Sequence, residues 1–178
     1  MNSWVLAAFA ALSVSTASAA CQPGAAEFSQ AGGRLDEALQ TLARRTGCPV
    51  EVAPQLLSGR LAAPAQGTLT PSGALAELLR GTGLEGRESR GGLTVDRRDQ
   101  EAVLARADRL LERLEQAVAE RRLSQARANR WRSALHTVRR GVQQDARRRG
   151  FVGSAELAGY GRTLAGVEQE LGGLPPNR

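Results

Sequence analysis

The chain has 178 residues, 42% hydrophobic and 3% aromatic, and its 24 basic residues, all arginine, face 18 acids for a formal charge of +6. That hydrophobic share excludes disorder along the whole chain. The shortage of aromatics leaves Ala, Leu, Val and Gly to fill any core, in small close-packed layers, and the length holds one medium domain or two small ones.

From Val5 to Val14 the sequence is apolar and uncharged, and small residues follow from Ser15 to Ala20. The run is shorter than the roughly 20 apolar residues of a membrane span, and Ala17-Ser18-Ala19 offers the small residues a signal peptidase accepts. Residues 1–19 are therefore expected to be a signal peptide, although Met1-Asn2-Ser3 lacks the usual basic residue; the alternative is a buried N-terminal helix. Cys21 follows directly, preceded by Ser18-Ala19-Ala20 without the Leu of a lipobox. Lipid on Cys21 would tether the protein to a membrane, whereas a Cys21–Cys48 disulfide suits an oxidising compartment, and the two exclude each other.

Leu35, Ala38, Leu39 and Leu42 recur at helical spacing and stop at Gly47, a natural C-terminal cap. Val50-Glu51-Val52 alternates as a half-buried strand, and Leu61 to Leu69 predicts another extended segment. Thr70-Pro71 restarts a helix whose apolar face is Ala74, Leu75, Leu78 and Leu79, ending at Gly81-Thr82-Gly83. Leu84 to Glu88 and Leu93 to Val95, joined through Arg90-Gly91-Gly92, read as a closing hairpin. The fold class expected is α+β: a small β-α-β-β-α-β-β unit over residues 20–97, then an all-α, roughly three-helix part over 98–178.

The residues Phe28, Ala31-Gly32-Gly33, Leu35-Asp36-Glu37-Ala38-Leu39, Leu42-Ala43, Thr46-Gly47, Leu56-Leu57, Gly59, Gly67, Leu69-Thr70-Pro71, Ala74-Leu75 and Leu78-Leu79-Arg80-Gly81-Thr82-Gly83-Leu84 carry a resemblance. Residues 27–95 resemble the secretin and TonB N-terminus short domain, the STN family. The resemblance implies a periplasmic docking domain without catalytic activity, engaging periplasmic or inner-membrane proteins. Two departures stand out: Gln30-Ala31 replaces an apolar residue and Pro in the first strand, and Gly86 stands where an aromatic is usual. Residues 96–178 show no sustained alternation and make no outer-membrane barrel, so neither a receptor nor a secretin is expected.

In the second part Val103, Ala107, Leu110, Leu114 and Ala117 mark one amphipathic helix. Trp131, Leu135, Val138 and Val142 mark a second, and Leu157, Tyr160, Leu164, Val167 and Leu171 a third. Ser124 and Ser154 are placed as N-caps. Residues 21–95 balance seven arginines against seven acids, so the whole excess charge lies beyond them. It concentrates in Arg121, Arg122, Arg127, Arg130, Arg132, Arg139, Arg140, Arg147, Arg148 and Arg149, with Asp145 the one acid between 121 and 149. In a chain that is not exported such a stretch would be a nucleic-acid face; export removes nucleic acid as a partner and leaves an anionic envelope surface or an acidic protein. The plain alternative is a solvated helix face.

No catalytic, metal or cofactor site is expected. His136 lies beside a polar stripe with no Cys or acid pair spaced to share a metal. Glu112, Glu115, Glu168 and Glu170 stand among arginines and read as ion-pair partners. The glycine pairs lack a phosphate-loop pattern. The sequence thus points to a periplasmic, non-enzymatic adaptor, with a lipoprotein carrying the same domain and an Arg-rich nucleic-acid-binding protein as its rivals.

Overall fold

In helix α1 (Leu35–Thr46) the buried face is Leu35, Ala38, Leu39 and Leu42, and Gly47 ends the helix at φ +68°, where an L side chain is strained. Helix α2 (Pro71–Leu79) starts on Thr70, whose Oγ1 accepts the Gly73 N–H at 3.1 Å. These elements belong to a computed structural model describing residue 21 and residues 24–174; the expected signal peptide lies outside the described residues.

The helices pack with three small sheets. Strand β1 (Ala26–Gln30) runs antiparallel to β5 (Ala65–Leu69), and β2 (Gly33–Arg34) antiparallel to β4 (Leu61–Ala62). In the third sheet β7 (Gly92–Asp96) lies between β3 (Val50–Val52), which it meets in parallel, and β6 (Glu85–Ser89), its antiparallel hairpin partner. The extended segment expected over 61–69 is split between two sheets. Pro64 has no N–H for a ladder, and Ala63 donates to the Leu78 carbonyl at 3.0 Å, so pairing stops there.

The rest is helical: α3 (Arg98–Ala119), α4 (Gln125–Arg149) and α5 (Ser154–Gly172), each packed on the other two. The observed class is α+β, small sheets followed by helices. Ser124 caps α4, accepting from the Arg127 N–H at 3.4 Å. The cap expected at Ser154 is one residue out. Gly153 holds that position, with the Glu156 carboxylate folded over it where a capping side chain would have to sit.

Two apolar clusters form. One runs from Phe28 to Val95 and is dominated by Leu35, Leu42, Leu75, Leu78, Leu79 and Leu84; the other, from Val103 to Leu171, centres on Leu114, Leu135, Val142 and Leu164. Full burial of one such leucine is worth roughly 1.5–3 kcal/mol of transfer free energy. Cys21 is disulfide-bonded to Cys48, which is fully buried in the first cluster.

The seam between the clusters is backbone against backbone. Gly81 donates to the Arg147 carbonyl and Gly86 to the Gly150 carbonyl, both at 2.7 Å, while Arg80 Nε reaches the Arg148 carbonyl at 3.1 Å. Such approach requires missing side chains. A Cβ on Gly86 would stand 2.7 Å from Leu75 Cδ2 and 3.0 Å from Leu79 Cδ1, and one on Gly150 would strike the Ala76 carbonyl oxygen. An aromatic at position 86 has no room here, because α2 and the α4–α5 turn close over the strand.

Candidate functional site

The first candidate surface is the outer edge of β3. Leu93 donates its N–H to the Pro49 carbonyl at 2.8 Å. Peptide groups alternate in direction along a strand, so those of Val50 and Val52 face away from β7. No described strand pairs with that edge. A shallow groove of about 510 Å³ runs beside it, its apolar wall made by Val50, Val52, Leu56 and Val95.

The second is the basic helix. Half of the ten arginines singled out by sequence are tied to acids: Arg122 to Glu120, Arg127 to Glu170 and Arg132 to Glu115 at 2.6 Å each, Arg139 to Asp108 at 3.2 Å, and Arg149 to Glu156 at 2.6 Å. Among the described residues Arg121, Arg130, Arg140, Arg147 and Arg148 carry no ion pair. At 3.6 residues per turn the four of these on α4 share a sector of about 100°, opposite Leu135, Val138 and Val142. That stripe extends over about 27 Å of helix at 1.5 Å per residue, with Arg147 lying against the seam and Arg130, Arg140 and Arg148 forming its outer part. Asp145 faces α5, where its carboxylate accepts the Tyr160 hydroxyl; burial first, and that bond second, push the Tyr160 phenol above its ordinary value.

The third is the seam. Glu85, buried at 2% exposure, comes from β6 to the start of α3 and accepts the N–H groups of Asp99 at 3.0 Å and Gln100 at 2.8 Å. Burial pushes its carboxyl up. Arg87 beside it bonds Asp96 and, at 3.3 Å, Asp99. Burial acts to raise Asp96, but the bonds from Arg87 and from the Arg98 N–H outweigh it and hold that carboxyl low. Arg60 and Arg97 meet Arg147 in a cleft on the same seam. Sequence reasoning missed Glu85, Arg60 and Arg97. The available signal was indirect: Arg97 heads a long helix with no capping side chain of its own, so the cap must come from elsewhere.

The structure places His136 half-buried on α4, and no group of three His, Cys, Asp or Glu suited to a metal ion occurs among the described residues. Glu115, Glu168 and Glu170 are each bonded to an arginine of another helix, Glu168 to Arg106 through both carboxylate oxygens. No helix among the described residues is long and apolar enough to cross a membrane.

No family model matches the chain, and comparison with curated proteins gives no match. Among solved structures it is similar to the ferripyoverdine receptor of the outer membrane of Pseudomonas aeruginosa, with 29% identity over 40% of this chain and a TM-score of 0.38. The match takes in 10% of that receptor's length, and the bound ferripyoverdine is that protein's ligand.

Proposed function

We propose that this chain is an exported, non-enzymatic docking protein of the Gram-negative envelope, in which an STN-type domain binds an extended segment of a periplasmic or inner-membrane partner. The observation that carries the reading is the open edge of β3: outward-facing peptide groups at Val50 and Val52 beside an apolar groove are what strand addition requires. The order of elements and the burial of Phe28, Leu35, Leu39, Leu42, Leu75, Leu78, Leu79 and Leu84, all among the motif residues, support the STN assignment. The disulfide supports export, and a Cys21 sulfur joined to Cys48 has no bond left for a lipid. The unpaired arginine stripe of α4 favours an added contact with an anionic envelope surface, which would raise the encounter rate in a salt-dependent way.

The test is a photo-crosslinking residue at Glu51, whose side chain is exposed on β3, in the full chain in cells. One envelope protein should be trapped there, none from the same probe at the exposed Gln66 of β5, and Val52→Pro, which removes an outward N–H, should abolish the adduct. Equal trapping at both positions, or none at Glu51, would overturn strand addition at this edge.

A further inference from the structure

The cleft on the seam has a volume of about 210 Å³. Arg60, Arg97 and Arg147 line it with Gln100 and Gln143, above the turn at Thr82-Gly83, and no carboxylate is among its lining residues. Each arginine comes from a different place: Arg60 from the turn before β4, Arg97 from the residue that heads α3, Arg147 from the last turn of α4. Their charges are poorly answered from within. Arg60 and Arg147 have no carboxylate partner among the described residues, and Arg97 has only Glu101 at 3.9 Å, its Nε buried without a hydrogen bond.

Three converging cations repel one another unless an anion joins them. The donors are also arranged in advance. Arg60 is held by its Nε on the Leu56 carbonyl at 2.6 Å and its Nη1 on the Thr82 carbonyl at 3.2 Å, which leaves Nη2 to donate. Gln100 is fixed by its Nε2 on the Gly83 carbonyl at 2.8 Å. A guanidinium already fixed by backbone carbonyls loses little freedom when it binds. The volume falls below the roughly 300–1,000 Å³ of pockets for drug-sized ligands, which suits a compact group with several oxygens.

We propose that this cleft binds a phosphate group, free or as the end of a phosphate monoester, and that the bound group ties α4 to the α/β part by neutralising Arg60, Arg97 and Arg147 together. Planar guanidinium forks match tetrahedral oxyanions, and the hydrogen bonds are charge-assisted. The site is separate from the β3 edge and stands or falls independently of strand addition there.

Inorganic phosphate is the probe, titrated by calorimetry into the full mature chain at ionic strength held constant with chloride. One saturable site is expected. Arg147→Gln should weaken it about tenfold or more, the loss of one charge-assisted bond. The seam is kept in that variant, because Gly81 bonds the backbone of Arg147 and not its side chain. Glu101→Gln, which frees Arg97 of its carboxylate, should tighten binding, and Arg162→Gln, exposed on α5 outside both the cleft and the arginine stripe, should leave it unchanged. Absence of saturable binding, unchanged affinity in Arg147→Gln, or equal weakening by Arg162→Gln would overturn the site.

Discussion

Glu85 accepts the backbone N–H of Gln100 at 2.8 Å, so that a side chain of strand β6 caps helix α3. Helix starts expose N–H groups without partners, and here the nearest residue, Arg97, offers none. Removing the carboxylate would leave the N–H groups of Asp99 and Gln100 unpaired at a buried position. Glu85→Ala is expected to cost about 1–3 kcal/mol per the penalty of unsatisfied buried donors, read as a lowered urea midpoint by tryptophan fluorescence. An unchanged midpoint would remove the seam cap from the account.

The same residue sets a pH dependence. Burial raises the Glu85 carboxyl, so between its ordinary and folded values the folded chain binds a proton that the unfolded chain has released. Stability then falls as pH rises through that interval and is regained as pH drops. Asp96 acts in the opposite sense: its lowered carboxyl contributes stability above the ordinary aspartate value, and loses it as pH falls through the folded one. The melting temperature should therefore rise slightly on acidification toward the ordinary glutamate range and decline below the aspartate range. Glu85→Gln should abolish the rise, and Asp96→Asn should soften the decline; a rise that persists in Glu85→Gln assigns it to another group.

Local pattern makes much of this fold legible. The leucine spacing of α1, the Thr70-Pro71 start of α2 and the Arg90-Gly91 turn of the hairpin all act within a few residues, and sequence displays such interactions directly. The split of 61–69 depends on Leu78 taking the Ala63 N–H, and the shift of the α5 cap depends on Glu156 folding back over Gly153. Both are choices between rival hydrogen bonds that spacing does not rank. Sequence likewise shows ten arginines on and around α4 without showing that acids of α3 and α5 answer Arg127, Arg132 and Arg139. Arg60 and Arg147 lie 87 positions apart, and only the seam brings them together.

The disulfide constrains the N-terminal segment against a core residue. Cys21 and Cys48 are 27 positions apart, and closing a loop of that length removes unfolded-chain entropy worth about 3–4 kcal/mol. Reduction, or Cys48→Ala, should lower the denaturation midpoint accordingly. Alkylation of the unreduced protein should label neither cysteine, and intact mass of periplasmic protein should begin at Ala20 or Cys21 without lipid. Free thiols on a full-length mass would defeat the export reading.

The two classes of arginine on the helical part should separate by experiment. Arg130, Arg140 and Arg148 point outward without ion pairs, so their replacement by Gln removes no described ion pair and should leave stability within about 0.5 kcal/mol. Each charge near an anionic bilayer is worth about 1 kcal/mol, falling off within a Debye length, so the triple variant should lose most of its retention on phosphatidylglycerol vesicles at low salt. Arg127, Arg132 and Arg139 instead join helices through Glu170, Glu115 and Asp108. Their replacement should cost about 0.2–1 kcal/mol per exposed pair. Net charge falls by three in either triple, but these arginines are turned toward α3 and α5 rather than along the outer stripe, so vesicle retention should fall less if that stripe is the face that meets the bilayer. Co-sedimentation across a salt series, with urea midpoints measured on the same variants, compares them. Equal loss of retention in both triples would mean that net charge alone is read, and that the outer stripe of α4 has no distinct role.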